Sequence, residues 1–257
     1  MTDSKKIIDP LSVVSLLLET SALGKPLGRA TGFVVKKEGR PYLITNWHVV
    51  TGRNSETLQP LSPTAALPDQ ITIAFHEKDK LGSWILTRQS LANKSGKPIW
   101  IEHERKYEID VVAIPLEPLG LSDKMVFYDL DLTLSETDMI PQCAMPVSII
   151  GFPLGLTTAG VLPIWKTGHI ASDHDLDHDS RPSFLIDATT REGMSGAPVL
   201  LRLTGGYKQK NGNSIISSGL RTRFLGIYSG RIHDDSEIGR VWRPQVITEI
   251  IDRANIT

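Results

Sequence analysis

An all-β fold in two lobes, closed by a single C-terminal helix, is what this 257-residue sequence predicts. Short apolar runs alternate with clusters of glycine, proline and polar residues, and few segments sustain a helical period. Strands at this spacing, joined by turn-forming residues, build barrels or sandwiches. The length and the 40% apolar content are enough for an ordinary globular core divided between two lobes.

In chain order the expected strands are 13–18, 31–36, 41–45, 71–76, 83–87, 99–102 and 111–115, each a brief apolar run bounded by turn residues. After a break they resume at 145–150, 164–172, 183–188, 197–202, 224–229 and 241–243. The strand pattern lapses over 117–135, where polar, turn-prone residues cluster, so one lobe is expected over 1–125 and the other over 126–257. Two stretches read as surface loops: 53–70, polar and proline-bearing, and 205–221, rich in glycine, serine, asparagine and lysine. Residues 244–254 differ from everything before them. Pro244 suits a first helical turn, and Val246, Ile247, Ile250 and Ile251 recur at helical spacing.

The charge balance removes whole classes of partner. The net charge is −1, from 28 basic and 29 acidic residues, so no global field favours nucleic acid or an anionic membrane. Lys36-Lys37 and Arg221-Thr222-Arg223 are short basic pairs without interleaved aromatics. No apolar stretch approaches the roughly 18 residues that span a bilayer. Lys5-Lys6 ahead of Ile7-Ile8 faintly resembles a secretory leader, but Asp9-Pro10 interrupts it and no small-x-small cleavage site follows. The single cysteine, Cys143, cannot form an internal disulfide, which fits a reducing compartment, and it reads as a small buried apolar residue. A soluble, cytoplasmic protein is the expectation.

Residues 173–179 crowd six potential metal ligands into seven positions. A calcium loop would need glycine where His178 stands and an acidic residue where Phe184 stands, so a solvated acidic loop is expected and no metal. Glycine-rich phosphate loops are absent, and no cofactor is expected.

The chemistry points to three places far apart in the chain. Gly193-Met194-Ser195-Gly196 sets a serine between glycines, just ahead of the apolar run 197–201. A serine hydroxyl is a poor nucleophile until a base takes its proton and donors hold the charge on the attacked carbonyl. The glycines permit a tight turn that can aim N–H groups at that charge. His48 follows the apolar strand 41–45 directly, and a neutral imidazole on so rigid a support can take up and return the serine proton. Asp110 opens the apolar run 110–115, where a carboxylate can fix the imidazole tautomer. Each feature alone has a bland explanation: a core histidine, a strand cap, a turn serine. The order His…Asp…Ser, each against its own apolar strand, reverses those explanations together.

On these residues the chain resembles the chymotrypsin/trypsin-like serine peptidase superfamily, closest in style to bacterial intracellular and HtrA-like forms. The matching segments are 32–35, 43–50, 110–114, 151–155, 168–170, 193–198 and 226–230, in family order over most of the chain. The resemblance implies two six-stranded antiparallel β-barrels with a C-terminal α-helix and the active site in the cleft between them. It implies an endopeptidase with Ser195, His48 and Asp110 as catalytic residues and the amides of Gly193 and Ser195 as oxyanion hole. Thr189, Thr190, Tyr228, Ser229, Gly230 and Arg231 would bind substrate, with the backbone of 229–231 pairing to it as an added strand. The implied partner is a protein or peptide substrate. The alternative on the same fold is a catalytically silent peptide-binding or regulatory module.

Two departures from the family pattern matter. Met194 stands where trypsin has the aspartate that captures a newly cut N-terminus, so the turn before Ser195 must be ordered intrinsically or by an activating protein partner. Thr189 stands where trypsin keeps its pocket aspartate, which disfavours cleavage after Lys or Arg. Thr190 with Arg231 would suit an acidic side chain, while an outward Arg231 would leave a pocket for small or apolar ones.

Overall fold

The computed structural model describes residues 7–233 and 235–254. Lys5 and Lys6, the basic pair at the amino end, lie outside them. A short 3-10 turn, Pro10–Val13, leads into β1 (Ser15–Ala22), so Val13 precedes the first strand rather than opening it. β2 (Lys25–Lys37) and β3 (Arg40–Thr45) follow through the two-residue turns Leu23-Gly24 and Glu38-Gly39. All four turn residues have positive φ, the twist that two-residue hairpins require. Then come α1 (Trp47–Thr51), β4 (Gln70–Glu77), β5 (Trp84–Ser90), β6 (Ile101–Glu102), β7 (Val112–Pro115) and β8 (Met125–Val126).

These strands form one antiparallel sheet in the order β5-β4-β1-β2-β3-β7-β6, with β8 on β4. Its ends are drawn together beyond β5, where Ala92 bridges Pro98 and the Ile99 N–H donates to Leu91 O at 3.1 Å. The second sheet comprises β9 (Pro146–Gly151), β10 (Ile164–Ile170), β11 (Ser183–Asp187), β12 (Pro198–Lys208), β13 (Ser214–Arg231) and β14 (Ile238–Trp242). It closes as a six-stranded barrel in the order β10-β11-β14-β13-β12-β9. The chain is a chymotrypsin-like two-barrel fold, mostly strand with one C-terminal helix, α2 (Gln245–Ala254).

Residues 205–221 are not a loop: β12 and β13 continue as a paired hairpin from Gly205↔Ser217 to Lys208↔Ser214, closed by Gln209 N–H on Asn213 O at 2.8 Å. The ladder is made by backbone groups and tolerates polar side chains on a solvated ribbon, so composition misled. Leu203 and Tyr207 anchor the ribbon against the barrel core. Cys143 also departs from expectation, being exposed, with its thiol 3.8 Å from Asp173 Oδ1.

The apolar runs at β2, β3 and β7 are continuous because both faces are buried. Val34, Leu43, Val112 and Ile114 fill the first lobe, whereas Phe33, Val35, Ile44, Val111 and Ala113 face the second. There they meet Ile150, Leu200, Ile227, Trp242 and Phe224, whose ring packs edge-on against Phe33 at 5.7 Å. α2 adds Val246, Ile247, Ile250 and Ile251 to this same inter-lobe core, the four positions picked out by their spacing. Its Glu249 also meets His103 Nε2 at 2.9 Å, next to β6. The helix therefore braces the segment that carries Asp110.

Candidate active site

β3 runs straight into α1, and His48 is the second residue of that five-residue helix. Asn46 precedes the helix in extended conformation but does not cap it. Its side-chain amide instead donates to Asp110 O at 2.6 Å. The helix is capped from a distance: His48 N–H donates to Asp110 Oδ1 at 2.8 Å. Asp110 Oδ2 lies 2.7 Å from His48 Nδ1 and also accepts the Ser229 hydroxyl.

Asp110 is 1% exposed, flanked by the fully buried Ile109 and Val111. A carboxylate is tolerated in such a place only when its oxygens are hydrogen-bonded, and three donors converge on this one. The carboxylate acceptor assigns the imidazole proton to Nδ1 and leaves the Nε2 lone pair outward.

Ser195 sits in the connection between β11 and β12. Gly193 and Gly196 have φ of +91° and +85°. A Cβ on Gly193 would come 2.1 Å from Phe152 O, and one on Gly196 would come 2.0 Å from Thr31 O, so both positions demand glycine. Met194 between them is fully buried in the second-lobe core.

The Ser195 hydroxyl donates to Ser229 O at 3.1 Å. No hydrogen bond joins it to His48 among the described residues. His48 and Asp110 are thus in direct contact, and Ser195 joins them through Ser229, whose carbonyl takes the serine hydroxyl while its own hydroxyl reaches Asp110.

The amides of Gly193 and Ser195 have no acceptor among the described residues. The preceding carbonyl, Glu192 O, accepts from Leu154 N–H at 2.6 Å. Because the peptide is planar and trans, that bond turns the Gly193 N–H to the opposite side.

The remaining sequence-predicted residues divide. Thr190, 1% exposed, pairs its hydroxyl with that of Tyr228, itself 2% exposed. The Tyr228 ring lies across Gly239, where an added Cβ would come 2.4 Å from Cε2. Burial pushes the Tyr228 phenol up to about 12, against a smaller opposing effect of the Thr190 bond, so it keeps its proton. Thr189 and Arg231 are exposed, and Ser229 and Gly230 are half-buried on the strand beside Ser195.

Sequence reasoning assigned Ser229 a backbone role and missed its hydroxyl. It also missed Asn46 and Thr31. A polar residue inside a strand that is otherwise buried, as Thr31 is between Ala30 and Gly32, is the signal that was available.

The histidine-rich stretch has a structural use. Arg243 donates to His174 O at 2.6 Å and to Leu176 O, and pairs with Asp177, so residues 174–177 fold around a guanidinium. From the first lobe, Glu56 reaches Arg240 at 2.8 Å and Arg181 at 3.4 Å, and Arg105 donates to Ser180 O. The 53–70 loop and the 103–108 segment therefore both touch the second lobe.

The family model of the trypsin-like peptidase domain matches residues 30–205. No curated protein matches the sequence. Among solved structures, the chain is similar to a serine endoprotease from Yersinia pestis, with 13% identity and a TM-score of 0.54 over 97% of this chain and 67% of that one. It is similar to the thermostable serine protease AL20 from an extremophilic microorganism, with 10% identity and a TM-score of 0.54 over 97% and 100%. The protease Anisep from Arthrobacter nicotinovorans gives 13% identity and a TM-score of 0.50 over 95% and 96%.

Proposed function

The chain belongs to the trypsin-like peptidase domain family, and from that premise we propose that it is a serine endopeptidase that cuts peptide bonds with Ser195 as nucleophile, His48 as general base and Asp110 as orienter. Ser195 Oγ attacks the scissile carbonyl while its proton passes to His48 Nε2. The resulting oxyanion is held by the N–H groups of Gly193 and Ser195. Collapse breaks the C–N bond, and His48 gives its proton to the leaving amine. Water then attacks the acyl-enzyme ester, losing a proton to His48, which returns it to Ser195 as the acid departs.

The observation that carries this reading is the 2.7 Å contact of His48 Nδ1 with a buried carboxylate that also takes the His48 N–H. On this reading the Ser195 hydroxyl gives up the Ser229 carbonyl and turns to the imidazole as substrate binds, since catalytic hydrogen bonds often tighten only in the substrate complex. A substrate lying beside Ser229, Gly230 and Arg231 extends β13 as a further strand. Its side chain next to the scissile bond is small, because the Tyr228 ring fills the pocket base and the two hydroxyls there are spent on each other. Arg231, exposed to solvent, adds nothing to that pocket.

The bond from Ser195 to Ser229 O favours a second reading, a silent peptide-binding module or an enzyme that waits for a protein partner. Pre-steady-state hydrolysis of p-nitrophenyl acetate separates them. The peptidase reading predicts a burst of nitrophenol stoichiometric with protein and lost in Ser195→Ala. A wild-type trace without a burst supports the second reading and contradicts peptidase chemistry in the isolated chain.

A further inference from the structure

We propose that Thr31, on β2 of the first lobe, is a positioning residue that holds the Gly193–Ser195 turn in its anion-binding shape, an inference that rests on reading that turn as the oxyanion site. Thr31 is fully buried. Its N–H donates to Ser195 O at 2.8 Å, and its hydroxyl donates to Gly193 O at 2.7 Å while accepting from Phe152 N–H at 3.2 Å. A hydroxyl has one proton to give and lone pairs to receive, so both bonds form together. Thr31 O in turn accepts the Thr45 hydroxyl at 2.9 Å, tying the residue to β3 just ahead of His48.

The consequence appears when the four successive carbonyls of the turn are taken together. Glu192 O is held by Leu154 N–H, Gly193 O by the Thr31 hydroxyl, Met194 O by Ala197 N–H at 3.0 Å and Ser195 O by Thr31 N–H. In a planar trans peptide, fixing the carbonyl fixes the N–H that opposes it. All four peptide planes are therefore set, and the two amides left unpaired are those of Gly193 and Ser195. Two of the four anchors come from one residue of the other lobe.

Met194 carries no charge and so forms no ion pair with a chain terminus. The cross-lobe hydroxyl supplies the ordering that such a pair would give, and the turn needs no cleavage of the chain to form. Thr31 also links nucleophile to base, since Thr45 stands three residues before His48 in the chain.

The test compares Thr31→Val, which keeps the shape and removes the hydroxyl, with Thr31→Ser, which keeps the hydroxyl. Acylation by p-nitrophenyl acetate is followed per active site, counted by burst amplitude so that unfolded protein does not enter. Affinity for a peptide aldehyde, N-acetyl-alaninal, reports the oxyanion itself. We expect T31V to slow acylation and weaken aldehyde binding by at least about 10-fold, up to the about 100–1000-fold cost of losing an oxyanion donor outright, with KM for the ester changed less than about threefold. T31S should stay within about threefold of wild type on both readouts.

If T31V does not fold, Thr31→Ala carries the same comparison. A folded variant lacking the hydroxyl that acylates at the wild-type rate overturns the proposal, as does equal impairment of T31S. A wild-type protein without a burst contradicts peptidase chemistry in the isolated chain and overturns this proposal with it, whereas a wild-type burst with an unimpaired T31V overturns this proposal alone.

Discussion

Asp110 is where the two lobes converge, taking His48 from one side and the Ser229 hydroxyl from the other. Its proposed role as orienter makes a definite prediction. Asp110→Asn keeps the shape but presents an amide, which favours the wrong imidazole tautomer, and kcat should fall by about 10⁴-fold with KM little changed. Steady-state kinetics on a cleaved peptide check this, and a loss under tenfold would contradict the orienting role. Tyr228 makes a second prediction, about selectivity. On the proposed reading its ring, packed between Thr190 and Gly239, limits the pocket to small side chains. Tyr228→Ala should admit Leu and Phe at the position before the cut in peptide-library profiling, whereas Tyr228→Phe should keep the parental preference for small residues. A wild-type preference for Glu would contradict this.

Elements differ in how openly the sequence declared them. The C-terminal helix was legible because four apolar residues at helical spacing become one buried face. β2, β3 and β7 were legible as apolar runs. The β12–β13 ribbon was not, because beyond Leu203 it is held by backbone pairing with Tyr207 as an isolated apolar anchor, and it carries no apolar run. That His48, Asp110 and Ser195 each adjoin a buried strand was legible from the apolar runs beside them. The hydroxyls of Ser229 and Thr31 were hidden, because their partners lie 119 and 162 residues away in the chain.

The acidic loop was hidden in the same way, its arginine being 66 residues from Asp177. Arg243→Met should leave the backbone carbonyls of His174 and Leu176 without donors and cost about 2–4 kcal/mol in urea unfolding, with the slope unchanged. An unchanged midpoint would show that the loop holds its shape without the guanidinium.

The molecule as a whole should lose stability in mild acid. Burial is the main cause that lowers the pKa of both His76 and His174, so each stays neutral in the fold longer than in the unfolded chain. Unfolded imidazoles take up protons first as pH falls through their ordinary value of 6.5, so the unfolded state binds more protons and stability declines below that pH. Above it the contribution is constant. Thermal unfolding from pH 7.5 to 5 should show Tm falling, and His76→Phe should flatten part of the fall. A Tm independent of pH over that range would contradict the buried, neutral assignment.

The two lobes meet through Phe33, Phe224, Trp242 and α2, and through the Glu56 pairs with Arg181 and Arg240. That shared core keeps groups from separate sheets within hydrogen-bonding reach, and peptidase chemistry depends on it. Labelling with a fluorophosphonate probe, followed by peptide mapping, tests this dependence in one step. The triad reading predicts a single adduct on Ser195 in the wild type and its loss in His48→Ala. Equal labelling of the two proteins, or an adduct on another residue, would contradict it.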